Sequence, residues 1–390
     1  MEVKYLSGLD EASVFPEQMF VVRSENEVLT LMSVDGDKQD YVDMMSAYGS
    51  VNFGHCNSDI APYEGLDSDI AACFYPKEAY SFSKWICNKV FEDTPAKVLF
   101  QVGGSFAVSS AISISQRKKP GKILAITGAF HGLGTDALAV TDTQKEIALQ
   151  NTSSNRTFRA NVDFIEPGEF PENIEEYSCF IFEPIQGANG YVPLDRAWLN
   201  DICELAKRAN VVVIADEVQA GFYRHGHLSV AKHIDVHVDI YLFSKSLTNG
   251  QFPLSAVVYR ESIVPKETLS LAHTFQTSAI GVRAAHMVSQ FIDSNDIDKY
   301  CNTIESHLVT CSEELEKIQS IKDIYVCKTT LSFDIGERSS QLVKSCFENN
   351  ILIFSGGKYG TRVRIAPPLT ISEEILKTTL GKIVKIVKEL

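Results

Sequence analysis

Several features are missing from this 390-residue chain. No cysteine pair has CxxC spacing, and the nine cysteines are odd in number and scattered, which argues against a disulfide framework and for a reducing compartment. No basic excess exists: the formal net charge is −14, so nothing in the charge favours a nucleic acid or an anionic membrane surface as partner. No apolar run approaches the length of a membrane span, and the first residues, MEVKYLSGLDEASVFPEQ, lack the apolar core of a signal peptide. Repeats and low-complexity segments are absent too. The expectation is a soluble, cytoplasmic globular protein, and its 45% hydrophobic residues can build more than one domain.

The familiar catalytic signatures are also absent. There is no GxGxxG and no GxxxxGK[ST], so dinucleotide and P-loop readings have little support. The nearest approach, Gly132-x-Gly134-x-x-Ala137, starts several residues past its strand. No GxSxG elbow marks a hydrolase. His225, His227, His233 and His237 lie close together, with His233 and His237 at i,i+4 spacing. No HExxH accompanies them and the cysteines lack zinc-finger spacing, so surface or packing histidines account for them and no metal is expected.

What is present is a succession of short apolar runs, each ending in a chemically useful residue. Asp35-Gly36 predicts a two-residue hairpin turn after VLTLMSV, and Tyr48–Asn57 reads as a loop. Pro76 can open a helix running toward Val90. AKVLFQV is a strand followed by Gly103-Gly104-Ser105 and a helix that Arg117, Lys118 and Lys119 close. KILAIT leads into Gly128-Ala129-Phe130-His131-Gly132. The polar stretch 140–175 reads as a surface excursion. SCFIFEPI is a strand ending in Glu183-Pro184, and Asp195 caps the next helix. VVVIA then ends in Asp216-Glu217, DIYLF ends in Ser244-Lys245, and PLSAVVYR is a further strand. Beyond about residue 290 a long helix, short strands and a closing helix from Ser372 fit a smaller α+β domain.

Open α/β sheets place ligands at the carboxyl ends of their strands. Asp216 at the end of an apolar strand needs a partner, and a buried lysine such as Lys245 has its amine freed as a Schiff-base nucleophile. Together they suggest a site for an aldehyde cofactor. Gly104 and Ser105 at a helix N-terminus make either a phosphate site or a plain turn with a serine cap. Phe130 is either a ring-stacking aromatic or a core residue, with His131 beside it.

In family order, NFGHCN, GGS, AFHG, FEPIQGANG, IADEVQAGFYRHG, DIYLFSKSLTNGQFPLSA, HTFQTSAIG and VRIAPPLTI cover the chain from about residue 40 to 372. This set resembles the class III, or ω-type, aminotransferases, a fold-type I family dependent on pyridoxal 5′-phosphate. The resemblance implies an α/β large domain with a mostly parallel, seven-stranded sheet over 51–290. It also implies a smaller α+β domain over 291–390, with 1–50 packing on it. It makes Lys245 the Schiff-base lysine and Asp216 the partner of the pyridinium nitrogen. Gln219 falls near the ring hydroxyl, and Phe130 on the ring face with His131 adjacent. Gly104 and Ser105 fall on the phosphate, joined by Thr274 across a homodimer interface, and Glu183 lies behind the first contacts. Arg364 matches the arginine that receives a substrate carboxylate. The implied reaction moves an amino group from an amine donor to a 2-oxo acid in ping-pong fashion.

Motifs around Tyr48 are similar to ornithine aminotransferases, where a tyrosine contacts the amino-acid carboxylate, and HGLGTDALAVT is similar to diaminobutyrate aminotransferases. Departures fall at substrate positions. Leu133 stands where ornithine-type members carry arginine, Ala188 where they carry the glutamate that covers the arginine, and Phe106 where an acid is frequent. The same site chemistry also suits an aminomutase, racemase or decarboxylase. A non-catalytic relative acting as a binding protein would not need Lys245.

Overall fold

The computed structural model describes residues 19–65, 74–143, 159–264, 271 and 274–390. They fall into two compact units, one spanning Asp59–Asp296 and the other combining Met1–Ser58 with Ile297–Leu390. The junctions thus stand at Ser58/Asp59 and Asp296/Ile297, beside expected ones near 50 and 290.

The unit Asp59–Asp296 is built on a seven-stranded sheet. From one edge the order is Ala96–Gln101, Ser255–Arg260, Ile240–Phe243, Val212–Asp216, Tyr177–Phe182, Lys122–Ile126 and Val162–Ile165. Val212–Asp216 pairs in parallel with strands on both sides, whereas Ser255–Arg260 runs antiparallel to both of its neighbours. The central strands Tyr177–Phe182, Val212–Asp216 and Ile240–Phe243 are buried at every residue, which is why they read as unbroken apolar runs rather than alternating ones. Helix Gly104–Lys118 packs Ala107, Val108, Ala111, Ile112 and Ile114 into the core formed with Ile181, Val212, Ile214, Leu242 and Val257.

Local signals hold at some helix ends. The Asp195 side chain accepts the Trp198 amide at 2.8 Å and caps Arg196–Arg208. Arg117 and Lys118 occupy the last turn of Gly104–Lys118. Pro76 precedes Lys77–Phe91 as its cap residue rather than its first helical residue. One expectation needs correction: the 140–175 stretch is not all surface excursion, because Val162–Ile165 forms the edge strand beside Lys122–Ile126. Part of that stretch, 144–158, lies outside the described residues.

The second unit carries two four-stranded sheets. One is ordered Met19–Glu25, Val28–Ser33, Lys38–Asp43, Ile351–Leu352, and the other Lys322–Cys327, Thr330–Asp334, Arg362–Ile365, Phe354–Gly356. The Asp35-Gly36 hairpin forms with a longer turn than expected: the Ser33 amide donates to the Asp37 carbonyl at 2.8 Å, and Gly36 takes φ +98° inside it. Helices Ile297–Glu316, Ser339–Glu348 and Glu373–Glu389 complete the unit. Among the described residues, no helix is long and apolar enough to cross a membrane.

Two glycines of opposite character test this packing. A Cβ on Gly121 would stand 2.5 Å from the Glu176 carbonyl oxygen and 2.8 Å from the Ser178 amide, both backbone atoms that cannot give way. Gly121→Ala is expected to cost roughly 1–3 kcal/mol. A Cβ on Gly381, in helix Glu373–Glu389, meets nothing within 4 Å, so Gly381→Ala is expected to add about 0.5–1 kcal/mol. Urea unfolding of the two variants measures both signs.

Candidate active site

Asp216 ends a strand in which every residue is buried, and the neighbouring parallel strand, with Leu242 in register beside Asp216, leads into Ser244 and Lys245. The acid and the lysine therefore emerge from adjacent strand ends, as their apolar lead-ins require. Between them and helix Gly104–Lys118 lies a cavity of about 300 Å³. Gly104, Ser105, Phe130, His131, Leu133, Glu183, Asp216, Gln219 and Lys245 all line it, together with Gly132, Val218 and Ser244.

The charge on Asp216 is met directly. Its Oδ2 lies 2.7 Å from His131 Nδ1, and its Oδ1 accepts the Val218 amide at 3.0 Å. Both side chains are buried. With Asp216 ionised, His131 Nδ1 carries the proton and donates it. His131 Nε2 is then buried and has no hydrogen-bond partner among the described residues.

Side chains from two segments hold the turn that carries Phe130 and His131. The Gly128 amide donates to Asp142 Oδ2 at 2.9 Å, the Phe130 amide to Glu183 Oε1 at 2.8 Å, and the His131 amide to Thr141 Oγ1 at 2.9 Å. The other oxygen of Glu183 accepts the Gly187 amide at 3.1 Å. Burial pushes the Glu183 carboxyl up to about 7, against the opposing pull of His131.

The packing around the start of helix Gly104–Lys118 explains several glycines. Gly104 opens its helix where a Cβ would come within 3.0 Å of Val218 Cγ1. The first amides of any helix lack an intrahelical acceptor, so this end favours an anion. The Gly132/Gly134 pair, the nearest thing to a dinucleotide fingerprint, has another role: a Cβ on Gly132 would strike Ser105 Oγ, and Gly134 donates its amide to the same oxygen at 3.3 Å. Those glycines make room for Ser105.

Four predicted residues lie elsewhere. Ala188 is part-buried in the segment after Glu183, and Thr274 is exposed and does not line the cavity. Tyr48 and Arg364 belong to the other unit. The histidine cluster holds no metal geometry: His227 and His233 stack at 3.4 Å, and His237 pairs with Asp239. Among the described residues no group of three or more His, Cys, Asp or Glu is placed to hold a metal ion.

The sequence model of the family described as aminotransferase class-III matches residues 11–387. The chain belongs to the class-III aminotransferases. It is an aminotransferase, and its mostly parallel sheet is the fold-type I architecture of this family. It is 26% identical over 365 residues to an acetylornithine aminotransferase of Archaeoglobus fulgidus, covering 90% of this chain and 92% of that protein. It is 29% identical over 381 residues to ornithine aminotransferase 2 of Staphylococcus saprophyticus, covering 93% of each. Among solved structures it is similar in fold to the ornithine aminotransferase of Toxoplasma gondii, with TM-score 0.81 and 20% identity over 96% of this chain and 91% of that one. An S-selective transaminase of Bacillus megaterium aligns with TM-score 0.85 and 19% identity, over 95% and 93% respectively.

Glu217, which the sequence reading passed over beside Asp216, is the buried anchor of this aminotransferase's next loop. It accepts the Ser229 hydroxyl at 2.7 Å and the Ala231 and Val230 amides at 2.8 and 3.2 Å. Its partners are twelve to fourteen residues away, so no local pattern announces them. Burial pushes its carboxyl up from 4.5 to about 7. The unfolded chain therefore ionises first, and stability present below pH 4.5 is lost as pH rises toward 7. Glu217→Gln is expected to remove one proton's share of that decline, at most about 1.4 kcal/mol per pH unit. Urea unfolding of variant and parent from about pH 4.5 to pH 7.5 reads the difference.

Proposed function

We propose that this aminotransferase moves an amino group from an ω-amine or a diamino acid of the ornithine kind to a 2-oxo acid such as 2-oxoglutarate or pyruvate. Its cofactor on this reading is pyridoxal 5′-phosphate. The observation that carries the proposal is the buried His131–Asp216 pair at one strand end, with Lys245 at the next, facing a cavity that opens on a glycine-started helix. The donor class rests on the ornithine and acetylornithine names of the relatives.

The residues fit that cofactor. The cavity joins an anion-favouring helix end, an aromatic residue, a compensated buried acid and a lysine, the four features that a phosphorylated pyridine aldehyde requires. His131 Nε2, buried and unsatisfied among the described residues, fits a polar group entering from outside the chain. Gly104 and Ser105 would hold the phosphate, Phe130 the ring face, Gln219 the neighbourhood of the ring hydroxyl, and Asp216 the ring nitrogen. Bound pyridoxal phosphate supplies an aldehyde that takes up an amino group and a ring that draws off the electrons of a broken C–H bond.

The chain's own residues do the rest. Asp216, oriented by its hydrogen bond with His131 Nδ1, would hold a proton at the ring nitrogen. Lys245, as a free amine, takes the proton from the substrate carbon at Nζ and returns it in the other half of the cycle. Glu183 fixes the Phe130 amide, so the aromatic ring keeps its place. Arg364 receives a substrate carboxylate as a bidentate guanidinium, with Tyr48 assisting. Leu133 and Ala188 stand where ornithine-type members carry arginine and glutamate, and these two positions bear on which donor is taken. Exposed Thr274 reaches the phosphate of a second copy in a homodimer. The exposed Leu133 and Phe106, at 59% each, support an apposed subunit. Free buried cysteines such as Cys179 and Cys203 fit a reducing, cytoplasmic setting.

Protein loaded with pyridoxal phosphate is expected to be yellow and to yield a borohydride-fixed adduct at Lys245. Lys245→Ala abolishes both and lowers kcat by at least about a thousandfold. Asp216→Asn keeps the adduct but lowers kcat by roughly a hundredfold or more. A panel of amines assayed with 2-oxoglutarate and pyruvate identifies the donor. A colourless protein with no adduct at Lys245 would sink the reading.

A further inference from the structure

Arg364 lies in strand Arg362–Ile365, with Ser332 in register on one side and Phe354 on the other. The serine is small and the phenylalanine is not, and the guanidinium rests on the ring. Its carbon stands 3.9 Å from the Phe354 ring centroid, and Nη2 donates to the Ser355 carbonyl at 2.9 Å. Phe354 is 2% exposed and Arg364 7%, so little of this contact is shared with bulk water. Tyr48 meets the same ring edge-on, 4.8 Å between centroids and 80° between planes.

Tyr48 comes from an unusual turn. Ser46, Ala47, Tyr48 and Gly49 all take positive φ, +47, +46, +58 and +76°. Three non-glycine residues in that region cost about 1–2 kcal/mol each, so something must hold them there. Asp43 does, accepting the Met45 amide at 2.7 Å and the Ala47 amide at 3.3 Å while His55 Nε2 lies 2.8 Å from its second oxygen. The turn is also tied to the strand of Arg364: the Ser46 hydroxyl donates to the Ala366 carbonyl, and the Ala366 amide to Met44, both at 2.7 Å.

We propose that Phe354 is a positioning residue for Arg364, and that the Tyr48–Phe354–Arg364 stack presets the guanidinium for a substrate carboxylate. This rests on the reading of Arg364 as the carboxylate-binding group. An unrestrained arginine loses rotamer freedom on capturing its ligand, whereas a stacked one has already lost it. Phe354 holds the flat face by cation–π attraction and offers no donor or acceptor of its own, so it does not compete with the carboxylate for the N–H edge. The consequence is a site that favours substrates carrying a carboxylate over amines that lack one.

The test uses holoenzyme with two probes: the KM for 2-oxoglutarate, and the dissociation constant of unreactive glutarate measured by calorimetry. Phe354→Leu keeps the apolar volume and is expected to raise both about three- to thirtyfold. It is expected to leave kcat within about twofold, as befits lost binding that ground and transition states share. Phe354→Tyr restores both constants. If Phe354→Leu changes neither constant while Arg364→Lys raises both, the positioning role is overturned and the carboxylate reading stands. If Arg364→Lys also changes neither, the carboxylate reading itself falls. A Phe354→Leu variant that loses kcat and melting temperature together, without rescue by tyrosine, shows a merely structural ring and overturns the proposal.

Discussion

A carboxylate at the end of a wholly buried strand costs several kcal/mol unless its charge is met, and here the hydrogen bond from His131 to Asp216 meets it. Much of the large unit's site follows from that bond. His131 can reach Asp216 only if the turn from Gly128 to His131 is fixed, and three side chains, Asp142, Glu183 and Thr141, each take one of its amides. Thr141 donates in turn to the Gly132 and Ala137 carbonyls, and Arg159 donates to the Thr141 carbonyl at 2.8 Å. The site is thus rigid in its backbone, with its polar groups oriented in advance. That is the condition under which electrostatic stabilisation of a reacting centre costs no reorganisation.

Much of this was legible in the sequence, for a physical reason. A strand buried on both faces must be apolar throughout, so an acid or lysine at its end stands out. Asp216, Glu183 and Lys245 were found that way, and the cavity brings them together with Gly104, Ser105 and Phe130. What escaped depends on distant partners. Val162–Ile165 is a four-residue edge strand with one sheet neighbour and an aspartate in it, too short and too polar to announce itself. Gly132 and Gly134 looked like a weak nucleotide motif because their real constraint, the side chain of Ser105, lies almost thirty residues earlier. Glu217 reads as a twin of Asp216, yet strand alternation turns it the other way, toward Ser229, Val230 and Ala231.

One position that breaks a local rule lies at the proposed chemistry itself. Non-glycine residues in the left-handed region are costly, and Lys245 is one, at φ +50°. No propensity favours a lysine there. The connection holds it: the Leu247 amide closes on the Ser244 carbonyl, and the Ser244 hydroxyl donates to Leu254 at 2.8 Å. Asn249 and Gly250, both at positive φ, then reverse the chain.

That reversal bears on why the lysine is where it is. In the described sheet, the strand after Lys245, Ser255–Arg260, is the one that runs against its neighbours. A parallel successor would require a crossover helix, and the residues after Ser244 would leave the sheet end at once. An antiparallel successor keeps the whole connection at the carboxyl edge, where the Asp216 carboxylate and the Gly104 helix end already lie. The break in the parallel pattern and the strained φ of Lys245 are therefore one feature: both keep the amine on a short, closed turn facing the cavity.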